Sequence, residues 1–250
     1  MRATAQGDRR LGSILERQWL HAIGLIVLLS GCAWAAQWPA LQQGGLWGLR
    51  SIDWFWIAIL TAVVHQVYVW LCWRIELHGK GLTALLGKAA FPTFAVGFAS
   101  IGIARVVAMF TLGYSNQASV ALDPTLDPWA LKIAAVVALV PALYLFYSVK
   151  RYFSFRRAFG ADHFDPSVRT LPFVRGGIFR FTSNGMYVFG FLLLWVPGLW
   201  WASAGALSAA LFNHLYIWVH YLATERPDMA RIYGAASPQP AVEPSKHASC

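Results

Sequence analysis

Four stretches of this chain, roughly 19–38, 52–73, 91–114 and 129–149, are apolar over about the length a helix needs to cross a bilayer. Nothing else in the sequence constrains the fold as much. In hydrocarbon every backbone N–H and C=O must find its partner within the protein, so only helices and closed barrels span. The runs are continuous rather than alternating, which selects helices. Two further runs follow at 185–202 and 204–223. The first is marginal in length and carries Pro197, a kink point, and almost no linker separates the two, which predicts a tight antiparallel hairpin. The expected fold is all-α: a polytopic bundle of about six membrane segments ending in a helical hairpin. Composition agrees, since 12% of residues are charged, about half the ~25% of an average soluble protein.

The net charge of +9 raises the question of nucleic acid, but no basic helix interleaved with aromatics lies outside the apolar runs. The cations sort by loop instead. Arg2, Arg9, Arg10 and Arg17 precede the first run; Arg74, Lys80 and Lys88 follow the second; Lys150 to Arg180 follow the fourth; Arg226, Arg231 and Lys246 follow the last. The intervening loops hold little more than Arg50 and Lys132. The positive-inside rule then places both termini and the 150–184 loop in the cytoplasm, as expected for a multi-pass protein of a bacterial inner membrane. The first run is too long and too Trp-rich at its end for a cleaved signal peptide. Cys32, Cys72 and Cys250 form no metal-ligand spacing, so no metal site is expected, and the Pro/Ala/Ser-rich tail 235–250 is expected to be disordered. No internal repeat points to a transporter with inverted halves.

The loop 150–184 holds the densest polar chemistry. Lys150, Arg151, Arg156 and Arg157 are read as contacts to anionic headgroups. The GADHF and GIFRFTSNGMY segments are poorly explained that way. Ser183 or Asn184 is placed to cap the fifth helix, whose free amides would attract an anion, with Arg180 just upstream to offer a fork to a carboxylate. Tyr187 and Gly190 fall on one face at i, i+3. In the last run His214, Trp218, Tyr221 and Glu225 recur at +4, +3 and +4, and Asn213, His220 and Thr224 form an adjacent stripe. A lone histidine in a span is more often a helix–helix hydrogen bond than a catalyst, and His65 and Gln66 are read that way too. Glu225 is less ordinary, because a carboxylate at a helix C-terminus opposes the dipole. Arg105 lies deep in the third run, where insertion costs about 2.5–3.5 kcal/mol. It is expected to meet either a buried acceptor or a polar headgroup.

GIFRFTSNGMY, then an apolar hairpin, then ATERPDMARIYG resembles the paired C-terminal motifs of membrane phospholipid methyltransferases. That superfamily, which includes the phosphatidylethanolamine type, also holds the isoprenylcysteine carboxyl methyltransferases. Gly177, Ile178, Phe179, Arg180, Phe181, Asn184, Tyr187, Glu225 and Ile232-Tyr233-Gly234 carry the likeness. The chain departs from the pattern at Ser183, where the family has Arg, at Gly185 for Pro, at Thr224 for Glu, and in the spacing of Gly190. The implied organisation is two N-terminal membrane helices with a cytoplasmic loop (1–88), a methyltransferase-like core (89–234) and the tail (235–250).

The resemblance implies S-adenosylmethionine as methyl donor in a cytoplasmic cofactor pocket, with a lipid or lipid-like acceptor entering from the bilayer. Arg180, Asn184, Tyr187, Gly190 and Glu225 are the implied cofactor residues. His163 or Asp162 is the candidate base, and Arg105, His214 and Tyr221 are candidates for the acceptor. The expected reaction is N-methylation of a phosphatidylethanolamine-type headgroup. Two alternatives stay open: methylation of a prenylcysteine carboxylate or small thiol, and a non-catalytic scaffold or transporter that keeps the fold. The sequence leaves the oligomeric state undetermined.

Overall fold

The computed structural model describes residues 10–120 and 129–234, so the tail expected to be disordered lies outside the described residues. The chain is mostly helical, and among the described residues four helices are long and apolar enough to cross a membrane. They are built on α1 (Gln18–Ala35), α2 (Ser51–Gly79), α3 (Ala90–Ser115) and α4 (Trp129–Ser148). The β structure there is one small hairpin, β1 (Gly45–Leu46) against β2 (Leu49–Arg50), which reverses the chain ahead of α2.

Helix α2 begins at a capping box, in which the Asp53 carboxylate accepts the Arg50 N–H at 3.0 Å. It runs for 29 residues, about 43 Å at 1.5 Å per residue, so it overshoots a hydrocarbon layer of about 30 Å. The overshoot carries Trp73, Arg74 and Glu76 to the end of the bundle where the 150–184 loop lies. Lys80 then takes a left-handed conformation (φ 53°) and reverses the chain. Glu76 reaches across the turn to accept the Thr83 N–H at 2.9 Å, satisfying an amide at the start of the next short helix.

The fifth apolar run forms shorter pieces than its hydropathy predicts. Residues 185–200 divide into a single α turn (Gly185–Val188), a 3-10 run (Gly190–Leu194) and α5 (Val196–Trp200). Gly185, Gly190, Pro197 and Gly198 lower the helix propensity along this stretch, and tight packing against α4 replaces it. Were Gly190 to carry a Cβ, it would stand 2.8 Å from Leu145 Cδ2. After Trp201–Ser203, α6 (Ala204–His220) starts at Ser203, whose Oγ accepts the Ala206 N–H at 3.1 Å. It continues through a π turn (Tyr221–Glu225) into α7 (Arg226–Tyr233).

Small residues let the inner helices approach closely. Ala58 and Ala62 on α2, Ala108 on α3, and Ala206, Ala209 and Ala210 on α6 are buried, with Phe55, Met109, Leu112 and Tyr216 filling the space between. The outward faces are apolar as well: Ile26, Val27, Ile103, Val137 and Val140 are more than half exposed, which suits lipid and not water. At the end remote from the 150–184 loop, Asn116 locks three segments. Its Nδ2 donates to the Ala40 and Gln43 carbonyls, both at 2.8 Å, and its Oδ1 accepts from Ser119 Oγ, Ser203 Oγ and the Gly205 N–H. Helix α4 stands apart from this core and packs on the 177–200 segment rather than on α3.

Candidate active site

The space between α3 and α4 opens into two adjoining cavities. The inner, of about 160 Å³, is lined by His65, Gln66 and Trp73 of α2, Arg105 of α3, Tyr187, and His220 of α6, among others. The outer, of about 240 Å³, has apolar walls from Gly102, Val106, Leu145, Phe146 and Leu194. His65, Phe98, Arg105, Ala158, Met186 and Phe191 line both, so the two are continuous. The inner end carries the polar side chains of His65, Gln66, Arg105, Tyr187 and His220; the outer is walled by apolar side chains and faces the gap beside α4.

Buried polar groups are nearly always hydrogen-bonded, which makes the inner cavity unusual. Both ring nitrogens of His65, both of His220 and the Nη2 of Arg105 are buried without a partner. The Arg105 Nε donates to Asn213 Oδ1, and its guanidinium lies 4.8 Å from the Phe191 ring centroid. Tyr187 enters the same wall through edge contacts with Trp218 (5.9 Å) and Tyr221 (5.8 Å).

Next to the inner cavity is an ionic cluster assembled from four parts of the chain. Arg74, fully buried, pairs with Asp228 of α7 at 2.7 Å. It also donates to the carbonyls of Ser13 (2.7 Å), Ala223 and Thr224 (3.3 Å each). His163 lies between Asp162, 3.1 Å from its Nδ1, and Asp228, 3.5 Å from its Nε2. Its ring stacks on Trp73 at 4.3 Å. Tyr233 donates its hydroxyl to Asp162 at 2.9 Å. Burial works against charge on His163, but the hydrogen bonds and charges of Asp162 and Asp228 outweigh it, and the net pKa is raised. Burial likewise opposes charge on Asp162, and bonds from His163 and Tyr233 outweigh it, so its pKa is lowered. The pair ties the 160–170 loop to Trp73 of α2 and Asp228 of α7.

Glu225 borders this cluster. Its Oε2 is buried without a partner. Burial, resisted by the His163 charge and assisted by Asp162 and Asp228, raises its pKa to about 7. The π turn explains how it arrives there: the extra residue per turn shifts Glu225 off the simple +4 stripe through His214 and Tyr221. The adjacent Thr224 accepts from Gln18 Nε2 at 3.1 Å, which fastens the turn to α1.

The other sequence-derived candidates divide. Tyr187 and Arg105 face the inner cavity, and Gly190 and Arg105 the outer. Tyr221 supports Tyr187 from behind. His214 lines neither cavity: its Nδ1 accepts from Trp195 Nε1 at 3.1 Å. Arg180 is exposed, donates to the Gly177 carbonyl at 3.2 Å, and lines a separate surface cleft of about 630 Å³ with Arg175, Thr182 and Ser183. Asn184 makes no side-chain cap; its N–H donates to Thr182 Oγ1 at 3.1 Å. The expected anion-binding helix N-terminus is not built, because the helix it would head lasts one turn. Sequence reasoning missed His65, Trp73 and His220 as cavity walls. The available signal was the i, i+4, i+8 spacing of His65, Val69 and Trp73 on one face of α2. Among the described residues no group of three or more His, Cys, Asp or Glu is arranged to hold a metal ion.

Residues 131–236, which take in most of α4, all of α5 to α7 and both motif segments, match the family model of the phospholipid methyltransferases. No curated protein and no solved structure matches the chain significantly.

Proposed function

We propose that the chain is an S-adenosylmethionine-dependent methyltransferase that N-methylates a phosphatidylethanolamine-type lipid at the cytoplasmic face of its membrane. The observation that carries this reading is the two-part cavity: an inner end that carries His65, Arg105, Tyr187 and His220, joined to an apolar mouth beside α4. A soluble substrate needs no apolar mouth at bilayer depth. A lipid does, and its head would then lie at the polar end with its chains outward.

The residues fit the donor. Glu225 Oε2 is an unsatisfied buried carboxylate oxygen, suited to an ammonium or to ribose hydroxyls. Tyr187, Trp218 and Tyr221 supply aromatic faces and edges suited to adenine or to a sulfonium cation. Arg180, on the surface cleft beside Thr182, would hold the carboxylate end; Asn184 follows that cleft in sequence and Gly190 lines the outer cavity. When bound, S-adenosylmethionine supplies an electrophilic methyl group. The chain's own work is alignment and the exclusion of water, since oriented reactants gain far more than any single contact. The buried cluster of Arg74, Asp228, His163 and Asp162 contributes by holding α2, the 160–170 loop and α7 in one register beneath Glu225.

Isothermal calorimetry of the detergent-purified protein with S-adenosylmethionine tests the donor assignment. Saturable binding that weakens at least tenfold in Glu225→Ala is the expected result. Absence of binding by folded wild type would remove the donor from the account.

A further inference from the structure

The guanidinium of Arg105 has no carboxylate partner. Its Nε is taken by Asn213, its plane lies on Phe191, and its Nη2 is buried and unpaired in the cavity wall. The other polar groups lining that cavity, His65, Gln66, Tyr187 and His220, include no carboxylate. A buried cation without a counter-charge is strongly unfavourable, so a site of this kind is complete only with an anion in it. Nor is the anion expected from the aqueous side, since α3 carries Arg105 fifteen residues in from Ala90, about 22 Å along the helix axis. The apolar mouth through Gly102, Val106 and Leu145 is the route that reaches it.

The same cavity holds two imidazoles, His65 and His220, each less than a tenth exposed and each with both ring nitrogens unpartnered. His220 lies seven residues beyond Asn213 on α6, about 10 Å further toward Glu225. The cavity thus holds one cation, two imidazoles and the Tyr187 phenol, and no carboxylate lines it. Neither Arg105 nor His65 lies in the family-matched segment 131–236.

We infer that Arg105, His65 and His220 form the acceptor-head site, and that it takes a zwitterionic amphiphile. The Nη2 of Arg105 donates to the acceptor's phosphodiester oxyanion, and the imidazoles accept hydrogen bonds from its ammonium. Transfer of one ammonium proton to a ring nitrogen leaves a neutral amine with a free lone pair and an imidazolium, conserving charge and atoms. His220, on the same helical run as Glu225, is the imidazole that receives it. The inference rests on the lipid-methyltransferase reading for its chemistry, but acceptor binding is measurable without the donor.

Native mass spectrometry of wild type, Arg105→Gln, Arg105→Lys and His220→Ala tests this with four short-chain ligands: phosphatidylethanolamine, phosphatidic acid, a fatty acid and diacylglycerol. Thermal melts establish that each variant is folded. Wild type is expected to bind phosphatidylethanolamine at least tenfold more tightly than diacylglycerol. Arg105→Gln should lose that preference, Arg105→Lys should recover part of it, and His220→Ala should weaken phosphatidylethanolamine selectively over phosphatidic acid. A folded Arg105→Gln with undiminished preference overturns the assignment, as does equal binding of diacylglycerol by wild type. Tighter binding of the fatty acid than of either phospholipid overturns the zwitterion and makes the acceptor a carboxylate. Should acceptor binding behave as expected while calorimetry shows no S-adenosylmethionine binding, the acceptor site stands and the methyl-transfer reading falls.

Discussion

Replacing Asp228 by Ala leaves Arg74 fully buried with only carbonyl partners and frees the Nε2 side of His163. Breaking a buried ion pair by removing one partner costs about 3–5 kcal/mol, because the surviving charge has no solvent to turn to. The four carbonyls that Arg74 keeps, from Ser13, Glu16, Ala223 and Thr224, hold its N–H groups but supply no net charge. The loss should therefore fall in that range rather than be absorbed. For a chain of this size 1 kcal/mol corresponds to roughly 2–4 °C in melting temperature, so Asp228→Ala should melt about 10 °C lower than wild type. Removing both charges in Arg74→Met/Asp228→Leu should recover at least half of that, since apolar replacement of a whole buried pair is often neutral. Differential scanning fluorimetry in one detergent at pH 7 reads all three proteins. If Asp228→Ala melts within 2 °C of wild type, or the double variant is no better than the single, the cluster does not brace the site in the way described.

Three further outcomes follow from the same geometry. His163 has a raised folded pKa, so its stabilising contribution is complete below the unfolded value of about 6.5 and disappears as pH rises through the folded one. Melting temperature should fall across that upward window in wild type and fall less steeply in His163→Asn. Glu225, raised to about 7, is mostly protonated at pH 6 and mostly ionised at pH 8, so calorimetric affinity for a cationic donor should increase by about tenfold between them and be pH-independent in Glu225→Gln. Asn116→Ala removes bonds to Ala40, Gln43, Ser119, Ser203 and Gly205 at the far end of the bundle. At about 1 kcal/mol per hydrogen bond, it should cost on the order of 3–5 kcal/mol while leaving donor affinity in the folded fraction unchanged.

The spanning helices were legible because lipid imposes one demand, backbone satisfaction over about 30 Å, that hydropathy reports directly. The runs at 91–114 and 129–149 recur almost residue for residue as α3 and α4. The run at 185–202 misled, since its hydropathy matches that of a span while its glycines and Pro197 break it into turns that pack on α4. Hydropathy carries no record of that competition between propensity and tertiary contact. In the candidate site, the cost of burying Arg105 was readable from its position alone; its partner Asn213 was not, being 108 residues away. The Arg74–Asp228 pair spans 154 residues and joins two charges that look like ordinary loop residues in sequence. The imidazoles of His65 and His220 each resemble a routine interhelical hydrogen bond when seen singly. Only the packing shows that neither has found one.

The most direct measurement is transfer of labelled methyl from S-adenosylmethionine into phosphatidylethanolamine in vesicles carrying the purified protein. The account predicts labelled mono- or polymethylated phosphatidylethanolamine from wild type and a loss of at least a hundredfold in Glu225→Ala, with labelled lipid absent when phosphatidic acid is the only phospholipid. Donor binding without any labelled lipid, or equal labelling by wild type and Glu225→Ala, would contradict it.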